Sequence, residues 1–243
     1  SPLRQSNRKA YKTAPLLWDD RRALLNAAVE TVGVALTLVE TAEPMARISR
    51  ALTTMEEVDL ANKSLHRLFF ESIFWSKERN GAGMPGLYIK TLELPPPAQL
   101  LFKALRHWPV ANALARVGFP RMVAETNAKQ NASASAFGVI TIDRFERTKY
   151  IEAGRLLERV WLAAASRGMS LQIVTGILFL ARTLERDASA PFSPTERASV
   201  REAHSRIREN LGDSKEPLLI FRIGYSTAPT AVSFRHVPQI TLK

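Results

Sequence analysis

Cysteine is absent from the 243-residue chain, which excludes disulfides, thiolate catalysis, iron–sulfur clusters and cysteine-bearing zinc sites within it. Histidine is scarce, and His66, His107, His204 and His236 never fall at the i, i+4 spacing that sets two imidazoles on one helix face, so no metal site is expected. Long apolar runs are missing as well. Glu, Arg or Lys interrupts every candidate before the ~20 residues that a membrane crossing needs, and no charged-then-apolar leader opens the chain. A soluble, cytoplasmic protein without a membrane partner is expected. There is no Met at the start, as in a domain taken from a longer polypeptide. No glycine-rich phosphate loop of the dinucleotide or nucleoside-triphosphate type occurs. Gly224-Tyr225-Ser226-Thr227-Ala228 falls one residue short of a hydrolase nucleophile elbow, and Pro229 stands where the elbow's helix should begin. Acidic residues are in deficit, 23 against 34 basic, for a net charge of +11. That excess makes an anionic ligand or surface a plausible partner, but it is spread along the chain and not gathered in one tract, so generic solubility accounts for it equally well. Nucleic acid is left open by the charge and is not the expected partner.

What is present is an ordinary globular composition, 46% hydrophobic, long enough for a real core. Residues 1–18 read as an extended basic arm carrying Arg4, Arg8, Lys9 and Lys12. Asp19-Asp20 cap a helix with Leu24, Leu25, Ala28 and Val32 at helical spacing, closed by Gly33. Residues 34–39 form a β-branched run that predicts a buried strand, followed by a brief helix at 45–52. Thr53-Thr54-Met55-Glu56 matches a capping box and predicts a new helix to about 77. The glycine-rich 80–86 and Pro95-Pro96-Pro97 are breaks, too short to separate domains, so one domain over 1–243 with a helical excursion around 80–125 is expected. Phe70, Phe74 and Trp75 read as a core stripe. A strand at 136–142, a helix at 148–167 with Ile151, Leu157, Val160, Trp161 and Ala164 on one stripe, and a Gly168 cap follow. Ser193-Pro194-Thr195-Glu196 opens the last long helix, which Gly212 closes, and 218–224 is the final strand.

Three segments carry the candidate chemistry. Arg4-Gln5-Ser6-Asn7-Arg8 places two guanidinium groups around a hydroxyl, the donor set a phosphate dianion favours. Taken alone the motif is weak and reads more readily as a solvated basic tail. In 150–176, Gly154, Leu162-Ala163-Ala164 and Gly168 are followed eight residues later by Gly176, with Thr175 before it; each small residue is explicable as close helix packing or a cap. At the other end stands Ser233-Phe234-Arg235, with Val237-Pro238 behind it.

Taken jointly, in order and over nearly the whole chain, these segments resemble the nitroreductase-like flavoprotein superfamily. The local fit is to a branch similar to domains fused to, or encoded with, E1-like adenylating enzymes. The resemblance implies an α+β fold, a central, mostly antiparallel sheet wrapped by helices, and a homodimer with FMN at the subunit interface. It implies that Arg4, Arg8 and Arg235 hold the phosphate, with Ser233 beside it. Ser6 would meet the ribityl chain, Asn127 the pyrimidine edge, and Thr175-Gly176 the N5 side of the ring. NAD(P)H would dock transiently as electron donor, and no acid–base side chain is assigned. The chain departs from the family at the Pro-Ser-x-x-Asn-x-Gln-Pro-Trp loop after the first helix, where it has Thr31-Val32-Gly33-Val34. That departure speaks against ordinary nitro or quinone reduction more than against FMN binding. An FMN-dependent oxidoreductase is the leading expectation. The rivals are a non-catalytic flavin or scaffold module beside an adenylating domain, and an anion- or nucleic-acid-binding module.

Overall fold

The computed structural model describes residues 4–28, 33–77, 86–211 and 215–233. At its centre lies a four-stranded antiparallel sheet in the order β1 (Val34–Val39), β4 (Ala136–Ile142), β6 (Glu216–Gly224), β5 (Ser170–Ile173). The two middle strands are apolar almost throughout because both faces are covered, and every residue of β4 is buried. On one face α2 (Ala42–Ala61), α8 (Gly176–Arg186) and α9 (Pro194–Arg208) pack on Phe137, Val139 and Ile220. On the other, α1 (Trp18–Ala28) and α7 (Arg147–Ser166) pack on Ala136, Ile140, Phe221 and Ile223. Gly138 pairs with Phe221 across the sheet, and a Cβ there would run into that ring, so glycine lets the phenyl group lie flat over the strand.

Between α2 and β4 the chain makes its helical excursion. It contains α3 (Lys63–Glu71), a two-stranded parallel ladder of β2 (Ile73–Phe74) and β3 (Leu87–Tyr88), and a 3₁₀ turn at Ile89–Leu92. Then follow α4 (Pro96–Leu105), α5 (Trp108–Ala115) and α6 (Phe119–Ala132). Its interior is aromatic. Phe70 and Phe102 lie 5.0 Å apart between ring centres, Phe70 and Phe74 are buried, and Trp75 packs against the same cluster, as the stripe predicts. His66 is a satisfied core histidine, its Nε2 2.8 Å from the Leu105 carbonyl.

Two local expectations change. The Thr53 capping box does not open a helix: α2 runs unbroken through it, and Thr53 Oγ1 donates back to the Arg50 carbonyl at 2.9 Å. The break falls at Asn62, whose side chain accepts from the amides of Ser64 and Leu65 and so caps α3. On α7 the buried stripe is Ala153, Leu156, Val160, Trp161 and Ala164, while Ile151 is 52% exposed. Gly168 does end α7 in the left-handed region (φ 71°), with the Met169 amide returning to the Ala164 carbonyl at 2.9 Å. The α9 capping box at Ser193 and Glu196 is fully formed; Gly212 lies outside the described residues.

Candidate functional site

The basic arm is structured by the far end of the chain. Ser6 bridges Leu171 in parallel, and the Asn7 amide donates to the Leu171 carbonyl at 3.0 Å, so the arm extends the sheet beyond β5. It then runs beside the segment after β6. Asn7 Nδ2 donates to the Thr227 carbonyl (2.8 Å), Lys9 Nζ to that of Ala228 (2.7 Å), Ser226 Oγ to that of Ala10 (2.9 Å), and the Lys12 amide to that of Tyr225 (2.8 Å).

Arg222 locks this arrangement. It stands in the apolar body of β6, is 1% exposed, and lies 4.3 Å from the centre of the Tyr11 ring. Its Nε donates to Gln172 Oε1 (2.7 Å), Nη1 to the Gln130 carbonyl (3.0 Å) and Nη2 to the Lys9 carbonyl (2.8 Å). One guanidinium thus joins β5, β6, the end of α6 and the arm.

The expected site residues fall into three groups. Arg4 turns to α7, its Nε 3.0 Å from Glu158 Oε1 and its guanidinium over the Trp161 ring. Arg8 turns the other way. Its Nη1 donates to the Thr91 carbonyl at 3.3 Å, and burial pulls the group below the usual arginine range, against the opposing pull of Tyr11 and Glu93. Glu93 has a left-handed backbone (φ 58°) without being glycine, and its carboxylate accepts both the amide (2.6 Å) and the hydroxyl (2.8 Å) of Thr230. That clasp fixes the tail beside Arg8, three residues before Ser233, which is exposed. Arg235 lies outside the described residues. Glu93→Ala is expected to speed amide exchange across 226–231 by roughly tenfold or more, since two hydrogen bonds to a charged acceptor are lost. Hydrogen exchange read by mass spectrometry checks this, and unchanged protection there would remove the clasp.

The third group surrounds the start of α8. Gly176 is its first residue, and a Cβ there would run into the Met55 thioether. Thr175 is buried and works on the sheet, its Oγ1 donating to the Ile220 carbonyl (3.1 Å) and accepting from the Ile220 amide (3.0 Å). Asn127 hydrogen-bonds the Glu56 carboxyl next to Met55. Burial raises Glu56 to about 7 and Asp59, one turn on, also to about 7. Glu56 Oε2 is buried without a hydrogen-bond partner.

The second and third groups meet across α6. Gln130, one turn beyond Asn127, donates from its side chain to the Arg8 carbonyl, and its own carbonyl accepts from Arg222. Glu93, Arg222, Glu56 and Asp59 were not expected from the sequence. Of these only Arg222 left a signal there, a lone arginine inside Leu-Leu-Ile-Phe-Arg-Ile. Among the described residues no His, Asp and Glu cluster could hold a metal ion, and no helix is long and apolar enough to cross a membrane.

No family model matches the chain. An uncharacterized protein of Mycobacterium tuberculosis is 22% identical over 216 residues, covering 88% of this chain, which spans only 30% of that relative's length. Among solved structures, oxidized iodotyrosine deiodinase bound to FMN and 3-iodo-L-tyrosine aligns with a TM-score of 0.50 at 11% identity, covering 100% of this chain and 97% of that one. Nitroreductase A from Vibrio parahaemolyticus aligns with a TM-score of 0.50 at 11% identity, covering 100% and 75%. With its antiparallel sheet, helical layers and these structural neighbours, the chain has the α+β nitroreductase-like fold.

Proposed function

We propose that the chain is an FMN-binding oxidoreductase. The observation that carries this reading is the continuity across α6: Asn127 bonds Glu56 beside Met55 and Gly176, and one turn later Gln130 holds the arm at Arg8. The residues present fit the group. Arg8 suits a phosphate, because its desolvated guanidinium donates to a single carbonyl while Glu93 acts on it from farther off. Ser233 and, by the resemblance, Arg235 would close on the same anion from the tail, and Ser6 would face the ribityl chain. Gly176 opens α8, and the first amides of a helix have no acceptor within it, which suits a ring nitrogen that gains charge on reduction. Met55 fills the space at Gly176, so its flexible thioether is the group that would swing aside for a ring.

When bound, FMN supplies hydride transfer between a nicotinamide donor and an acceptor, while the chain binds, orients and shields it. In this reading the working unit is a cytoplasmic homodimer, and an adenylating domain is its neighbour in a longer polypeptide. Arg4 contributes less to the cofactor than the sequence pattern implies, since Glu158 and Trp161 already engage it.

The test is flavin absorbance per mole of protein after FMN loading and gel filtration. Arg8→Ala is expected to weaken FMN retention by roughly tenfold or more, the loss of one charge-assisted phosphate contact, and Arg4→Ala far less. A wild-type protein that stays colourless after loading overturns the reading. Flavin that is retained but reduced by neither NADH nor NADPH turns it into a binding module without turnover.

A further inference from the structure

A second site lies along α8. A cavity of about 630 Å³ opens between the start of α7, α8, α9 and the first residues of β6, within the range of small-ligand pockets. It runs along α8 from Leu178 to Arg186, and neither Gly176 nor Met55 lines it.

Its lining is cationic and aromatic together. Arg147, Arg182 and Arg186 face it with one carboxylate, Glu185. Arg182 is held by Glu185 at 2.8 Å and lies flat on Phe145, its guanidinium carbon 3.6 Å from the ring centre. Even so, its Nε is buried without a hydrogen-bond partner. Among the described residues, Arg147 and Arg186 have neither an ion-pair nor a hydrogen-bond partner. At the mouth, Phe179 is 59% and Tyr150 39% exposed, an apolar exposure that solvent does not favour.

These features select among ligands. A bare phosphate would use the arginines and leave the aromatic rings wet. An apolar molecule would cover the rings but also seal off Arg182 Nε and two unpaired guanidinium groups, which is unfavourable. A planar ring carrying phosphate satisfies both: rings stack on Phe179 and Tyr150, and planar guanidinium forks match phosphate oxygens. We propose that this cavity is a nucleotide site, with the base against Phe179 and Tyr150 and the phosphates on Arg147 and Arg186. His204, half-buried in the wall, is held below its ordinary value by desolvation and so stands neutral at pH 7, able to bond a base edge.

The inference does not rest on flavin binding, and calorimetric titration with ADP tests it on the whole chain. ADP is expected to bind at one site, with pyrophosphate and adenosine each roughly tenfold weaker or worse. The Arg147→Ala/Arg186→Ala double variant should lose roughly tenfold or more, Phe179→Ala several-fold, and Arg8→Ala nothing. Arg147, Phe179 and Arg186 are exposed, so these variants are expected to fold. Equal affinities for ADP and pyrophosphate, or ADP binding unmoved by the double variant, would overturn the proposal. Loss of ADP binding in Arg8→Ala alone would place the nucleotide on the arm instead, and overturn it equally.

Discussion

Replacing Arg222 with leucine is expected to destabilise the protein by roughly 3–5 kcal/mol, the scale of breaking a buried charged network. Leucine restores apolar volume and strand propensity, so the loss is not one of packing alone. It strands the carbonyls of Lys9 and Gln130 and the Gln172 carboxamide oxygen, three acceptors served by one side chain that is 1% exposed. A buried acceptor left unpaired costs about 1–3 kcal/mol, and three of them support the lower end of that range independently. Among the described residues no carboxylate is hydrogen-bonded to this guanidinium; carbonyl dipoles and the Tyr11 face balance its charge. Lysine, with one compact head, can serve one or two of the acceptors, so Arg222→Lys should recover only part of the loss. Urea denaturation followed by circular dichroism gives the number. A change below about 1 kcal/mol for Arg222→Leu would show that solvent reaches those carbonyls and that the arm is not tied down as described. A second consequence separates the lock from mere stability. The arm between Asn7 and Lys12 should exchange its amides faster even where the rest of the sheet stays protected, and an FMN site built on Arg8 should loosen with Arg8 intact.

The sheet was legible because its information is local. Val34–Val39, Ala136–Ile142 and the apolar body of β6 are runs that can only be buried, and the capping signals at Ser193 and Gly168 depend on neighbours within a few residues. Thr53-x-x-Glu56 shows the limit of such signals. The same four residues occur inside α2, where apolar Ile48, Ala51 and Leu52 continue the buried face straight through, and packing outweighs the local motif. The site was less legible for a different reason. Its bonds join residues far apart in the chain: Lys9 to Ala228, Glu93 to Thr230, Arg222 to Lys9. No periodicity encodes such pairs. Arg4 and Arg8 look equivalent in the sequence, yet four residues of extended arm set them about 13 Å apart, and one finds Glu158 while the other is buried near Glu93. The resemblance supplied the order of the segments, and the folded chain supplies which of their side chains are already engaged.

Those engaged side chains include two carboxyls that make stability depend on pH in an unusual direction. Glu56 rises from 4.5 to about 7 and Asp59 from 3.8 to about 7, in both cases because burial penalises the charged form. An acid whose folded value is raised holds its proton more tightly in the folded state than in the unfolded one. Its favourable contribution is therefore fully present below its unfolded value and is lost as pH climbs through about 7. Between those limits each group lowers stability by about 1.4 kcal/mol per pH unit. Exposed ion pairs such as Arg21 with Glu40 contribute little in the same window. The wild-type unfolding free energy should thus fall from pH 5 to pH 8, opposite to the trend that salt-bridged carboxylates produce. Glu56→Gln keeps the shape and an acceptor for Asn127 while removing the titration. It should flatten the profile and at pH 8 exceed the wild type by about 2 kcal/mol or more, the part of the ionisation penalty it no longer bears. Asp59→Asn should act in the same direction, and the two effects should be less than additive, because each charge raises the other's penalty. Urea midpoints at pH 5, 6, 7 and 8 for the three proteins decide it. Parallel profiles for wild type and Glu56→Gln would mean that the carboxyl is solvated or paired, and that the junction of α2 and α6 beside Gly176 is wetter than its burial implies.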